Sequence, residues 1–104
     1  MIKKFIKKPL EIEALQLTEK NILEVYRFIY GHESVDLRSI VSHSKWDDYE
    51  EIVKKQGGLH LKTLESNGET QVASFGDFVI KGIQGDIYPC KPEIFEKTYE
   101  LVLE

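Results

Sequence analysis

The sequence predicts an α+β domain: a twisted antiparallel sheet of about five strands, one or two helices packed on one face, and a β-hairpin over Phe78 to Cys90. Three observations predict it. Ile22, Val25, Tyr26 and Ile29 recur at spacings of three and four, the period of an amphipathic helix. From Leu59 onward apolar residues alternate with polar ones instead. Two short apolar runs, Phe78 to Ile80 and Ile87 to Tyr88, flank a polar turn bounded by Gly82 and Gly85, the pattern of a hairpin. A length of 104 residues, 41% of them hydrophobic and 31% charged, suits one domain over 1–104, and no repeat or low-complexity linker divides it.

In chain order, residues 2 to 8 alternate loosely, with Ile2, Phe5 and Ile6 among lysines, and read as an edge strand. Pro9 lacks an N–H for a ladder and so opens the next strand, where Leu10, Ile12 and Ala14 share one face. Leu15 and Leu17 then switch parity, the mark of a bulge or of a strand end buried on both sides. Thr18 is the expected cap of the first helix, with Glu19 at its positive end, and Gly31 is its expected stop. Residues 32 to 45 show no clean period, with room for a short strand or loop around Leu37 to Val41.

Ser44 is the expected cap of a second helix from Lys45 to Gln56, with Trp46, Tyr49, Ile52 and Val53 turned inward and Asp47, Asp48, Glu50 and Glu51 facing water. Gly57-Gly58 ends it. Leu59, Leu61 and Thr63 make one strand, Ser66-Asn67-Gly68-Glu69 a turn, and residues 70 to 75 its return. Gly76-Asp77 turns the chain into Phe78 to Lys81, partnered by Asp86 to Cys90. Pro92 sets the first position of one helical turn over Glu93 to Lys97. Tyr99, Leu101 and Leu103 alternate with Glu100, Val102 and Glu104 and read as a closing strand.

Charge is unevenly placed. The net value is -4, yet Lys3, Lys4, Lys7 and Lys8 place +4 in the first eight residues and leave -8 for the rest. Four clustered lysines are the candidate nucleic-acid contact; an acidic body repels such a backbone, so the lysines read first as protection for an exposed strand edge. The basic start is not followed by the apolar run of about 7–15 residues that a secretion signal needs. Nor does any stretch reach the ~20 apolar residues of a membrane span. With one cysteine and hence no internal disulfide, the expectation is a cytoplasmic protein without a membrane partner.

Candidate chemistry is sparse. Cys90, beside Lys91 and just before a short helix, has two of the neighbours that activate a thiol, but a small apolar side chain also suits its strand position between Pro89 and Lys91. His32, His43 and His60 fall at spacings of eleven and seventeen, which match no metal motif. Gly76, Gly82 and Gly85 lie between β segments and not before a helix, where a phosphate loop would place them. Phe75, Phe78, Tyr88, Phe95 and Tyr99 could stack bases, but their neighbours are acidic or neutral, and core packing accounts for them. No catalytic set, metal or cofactor is assigned. Lys81, Tyr88, Cys90 and Lys91 are the candidate binding residues, because a hairpin can gather polar-tipped groups on one face.

The block Gly76-Asp77-Phe78-Val79-Ile80-Lys81-Gly82-Ile83-Gln84-Gly85-Asp86-Ile87-Tyr88-Pro89-Cys90-Lys91-Pro92-Glu93-Ile94-Phe95-Glu96-Lys97-Thr98-Tyr99-Glu100 resembles the end of a family of small uncharacterised bacteriophage and prophage proteins of Gram-positive bacteria. That family's pattern is close to G-D-W-I-I-K-G-x-x-G-E-x-Y-P-C-K-P-x-I-F-x-x-T-Y-E. Lys7 to Thr18 is similar to the family's usual start, and the two stretches cover about a third of the chain. Phe78 stands where the family often has tryptophan, and Asp86 where it has glutamate. The resemblance implies a phage origin and no particular activity. The expected function is that of an accessory protein binding a host or phage macromolecule, with a homo-oligomer as one form of partner. The alternatives are an enzyme or small-ligand protein with a pocket near Tyr88, Cys90 and Lys91, and a nucleic-acid binder using the four lysines.

Overall fold

Leu15, Val79 and Ile87 share one side of a small sheet, and that side sets where everything else packs. The computed structural model describes residues 1–6, 8–62 and 70–103. In order these form β1 (Glu13–Gln16), α1 (Ile22–Tyr30), a 3-10 turn (His32–Ser34), α2 (Ile40–Gln56), β2 (Gly58–Lys62), β3 (Thr70–Ser74), β4 (Phe78–Lys81), β5 (Ile87–Cys90) and α3 (Pro92–Thr98). The fold is α+β, and among the described residues its five antiparallel strands divide into a three-stranded sheet of order β1-β4-β5 and a two-stranded ladder of β2 and β3.

The register pairs Leu15 with Val79 and Lys81 with Ile87, so these four share a face. Against that face lies a core of Leu17, Ile22, Val25, Trp46, Val53, Leu59, Leu61, Ala73 and Val79, drawn from α1, α2 and both sheets. The opposite face carries Phe78, Ile80, Tyr88 and Cys90. There α3 lays the ring of Phe95 on that of Phe78, nearly parallel with centroids 3.8 Å apart. The parity switch around Leu15 is a strand end enclosed on both sides. Ala14 and Leu15 are both half-buried, and Leu17 is fully buried where its N–H donates to the Asp77 carbonyl at 2.9 Å and its own carbonyl accepts from Gly76 at 2.7 Å.

The starts of α1 and α2 differ from expectation. Asn21 occupies the cap position of α1 in place of Thr18. Its amide oxygen accepts from the Thr18 N–H and hydroxyl at 2.7 and 3.0 Å, and its amide nitrogen donates to the Gln16 carbonyl at 2.8 Å. One side chain thus clips the end of β1 to the start of α1. Ser39 caps α2 in place of Ser44, accepting from the Ser42 N–H at 3.1 Å. The extra first turn places Ile40 and Val41 in water, which is why apolar spacing does not reveal it. Ile52 is also exposed, whereas Trp46, Tyr49 and Val53 hold the inner stripe. The C-terminal end is as expected: Gly57 adopts φ 86°, ψ 12°, and its N–H donates to the Val53 carbonyl.

The hairpin of Phe78 to Cys90 forms as expected, and the helix after Pro92 is longer than a single turn. The turn expected at 66–69 lies outside the described residues. Two expected strands are not strands here. Residues 1–6 and 8–12 belong to no helix or strand, and Pro9 sits instead in a tight turn closed by Leu10 N–H to the Lys8 carbonyl at 2.8 Å. Residues 99–103 likewise join no ladder. The reason is physical: a period-2 pattern makes a strand only when a second edge completes its hydrogen bonds. Among the described residues no helix is long and apolar enough to cross a membrane.

Candidate functional site

The hairpin separates the four residues nominated from sequence. Tyr88 and Cys90 lie opposite Ile80 and Phe78 on one face, while Lys81 lies opposite Ile87 on the other. The Lys81 ammonium rests 4.8 Å from the centroid of the Phe28 ring of α1, within the range of a cation–π contact. Lys91 is committed elsewhere. Its ammonium reaches both carboxylate oxygens of Asp77 at 3.2 and 3.1 Å, and Asp77 is buried at the turn into β4. The Cys90 thiol contacts the Lys91 carbonyl at 3.6 Å. Lys91 and Asp77 therefore act in holding the turn that precedes β4.

A second candidate arises where α1 and α2 meet. The rings of Tyr26, Trp46 and Tyr49 pack with centroids 5.3 to 5.5 Å apart, and Tyr30 lies 4.6 Å from Tyr26. Beside them opens a shallow cleft of about 390 Å³ whose rim includes Glu33, Asp36, Ser42 and Lys45. A neighbouring cleft of about 500 Å³ lies across the same segment, and Arg27 fastens that segment by donating to the Val35 carbonyl at 2.8 Å. Arg38 holds the Asp36 carboxyl below the usual carboxylate range through side-chain and then backbone hydrogen bonds. None of the rim residues stands out in the sequence. Tyr26 and Trp46 lie twenty positions apart, and only the packing of two helices makes them neighbours.

Burial pushes the phenol of Tyr49 up, with Tyr26 and Tyr30 adding to it, and burial then Tyr26 push Tyr30 up. A raised acid loses its proton first in the unfolded chain. Stability is therefore intact below pH ~10 and falls as pH climbs from that unfolded value toward the higher folded ones. A phenolate absorbance titration checks this: Tyr30→Phe and Tyr49→Phe should each remove absorbance from the high end of the curve. Loss from the ordinary range near pH 10 would contradict the packing described.

The third candidate is the pair of end segments. Ile2, Phe5 and Ile6 are 98%, 88% and 95% exposed, and Leu101 and Leu103 are each 85% exposed. Lys3, Lys4 and Lys8 are exposed beside the first group; Glu93, Glu96 and Glu100 are exposed in and beside α3, next to the second. The radius of gyration, 15.8 Å, exceeds the ~13 Å of a compact chain of about 100 residues, and the long axis is 59 Å. Both quantities fit end segments that stand clear of the packed body. Among the described residues no three His, Cys, Asp or Glu side chains gather into a metal-binding group. Comparison of the chain with family models, with curated proteins and with solved structures finds no match.

Proposed function

We propose that this chain is a small phage-encoded accessory protein that works in the host cytoplasm by binding a macromolecule, and that its two end segments make the contact. The observation that carries the reading is the near-complete exposure of Ile2, Phe5, Ile6, Leu101 and Leu103. Single exposed apolar residues are ordinary, but runs of large ones on segments outside the core mark surfaces that another molecule covers. The phage origin is supported by the likeness of the Gly76 to Glu100 block to that protein family. Catalysis has less support, because Lys91 is engaged by buried Asp77 and Lys81 lies on the opposite face from Cys90.

Binding is tested by replacing Ile2, Phe5 and Ile6 with serine and comparing the variant with the native chain for retention of self or host and phage proteins. The native chain should hold a partner that the variant loses, while an Ile52→Ser control keeps it. Equal retention by the variant would remove the end segments from the site. Binding to nucleic acid that weakens steeply with salt and disappears on reversal of Lys3 and Lys4 would replace the protein partner.

A further inference from the structure

We propose that the partner of the end segments is a second copy of this chain, joined by reciprocal exchange: the arm of each copy, residues 1–8, pairs with the segment after α3 of the other. The inference rests on the reading that these segments bind. Four observations lead to it.

First, both segments have the period of strands or a loose form of it, and neither belongs to a ladder among the described residues. A strand pattern without an edge to pair with asks for one from another molecule. Second, each segment presents large apolar side chains to solvent, so pairing them covers Ile2, Phe5 and Ile6 together with Leu101 and Leu103. Third, their charges select the pairing. Arm against arm sets Lys3, Lys4 and Lys8 against their own copies, and tail against tail gathers Glu100 with the α3 acids Glu93 and Glu96, which outnumber Lys97; bringing like charges together is unfavourable. Arm against tail brings opposite signs together. Fourth, β1 is an edge strand in the order β1-β4-β5, and residues 8–12 lead from the arm directly into it. A strand taken up by the arm is thus tethered, through the turn at Lys8 to Leu10, to the edge of the main sheet. When the arm and tail of one copy meet the tail and arm of the same second copy, the two contacts are equal and the pair is closed; an open head-to-tail chain of larger mass is the competing outcome.

The test is a charge swap read by light-scattering mass. The native chain should have twice the mass of the 12.1 kDa monomer. Lys3→Glu/Lys4→Glu/Lys7→Glu/Lys8→Glu alone and Glu96→Lys/Glu100→Lys alone should each weaken self-association by about 100-fold or more and run as monomers. Mixed in equal amounts, the two should return to the dimer mass, because every arm then meets a tail of opposite sign. The rescue also shows that both variants fold. A native chain that stays monomeric, variants that stay dimeric, or a mixture that fails to reassociate overturns the exchange. If the native chain is monomeric yet its arm is needed to retain another protein, the binding reading stands and the exchange fails. If the arm is needed for neither, both fail.

Discussion

Gly58→Ala is expected to destabilise the fold by about 3 kcal/mol or more, lowering the melting temperature by about 12 °C or more. Gly58 is the buried first residue of β2 and sits opposite Ser74 in the ladder. A Cβ built there runs into the carbonyl group of Ala73 and the Cα of Ser74. Those are backbone atoms, so no side-chain rotation relieves the clash and the two strands must part. Parting them exposes Leu59 and Ala73, both in the core, and weakens the hydrogen bond from Phe75 N–H to the Gly57 carbonyl at 3.2 Å. Gly57→Ala is the comparison. Its φ of 86° strains an L-residue, but a Cβ there meets nothing within 4 Å, so the cost should be about 1–2 kcal/mol. Thermal melts of the two variants check the order. Equal losses would mean that β2 and β3 do not approach as closely as described.

Asp77→Ala should be the next most damaging change, at about 2–3 kcal/mol. The carboxylate accepts the Ser74 N–H at 2.9 Å and the Lys91 ammonium, with its side chain 5% exposed against 56% for Lys91. Removing it orphans a part-buried amide, whereas the half-exposed lysine simply rehydrates. The turn hydrogen bond therefore outweighs the ion pair. Asp77→Asn keeps an acceptor for Ser74 and should cost about half as much; Lys91→Ala should cost about 1 kcal/mol. A loss on Asp77→Asn as large as on Asp77→Ala would reverse that ranking. The effect matters beyond stability, because the same turn receives Leu17 at the Asp77 carbonyl and so joins β1 to the hairpin.

The hairpin and α1 were readable because each declares itself locally. Phe78 to Ile80 and Ile87 to Tyr88 alternate around glycines, and Ile22, Val25, Tyr26 and Ile29 stay on one helical face. The start of α2 was hidden because Ile40 and Val41 face water, so their apolarity argued for a strand where the Ser39 cap makes a helix. Thr18 and Asn21 are both capping types three residues apart, and only the geometry of the turn after β1 selects Asn21. The candidate site was less legible than the fold. The sequence puts Lys81 and Tyr88 in one hairpin, but the register depends on how many residues the turn takes; the turn of 82–86 sets Lys81 opposite Ile87. The aromatic cleft depends on contact between separate helices, which no local pattern announces. The patterns at 2–8 and 99–103 are visible in the sequence as strands, yet residues 2–6 and 99–103 pair with no strand edge among the described residues.

That mismatch between a strand pattern and its missing partner is the centre of the functional account. Hydrogen exchange of the backbone amides at residues 2–6 and 100–103, followed across a range of protein concentrations, tests it most directly. Protection that rises at both segments together as concentration rises is the expected result, since these amides acquire partners only when copies associate. Fast exchange at both segments at every concentration, in a sample that shows self-association by mass, would contradict it.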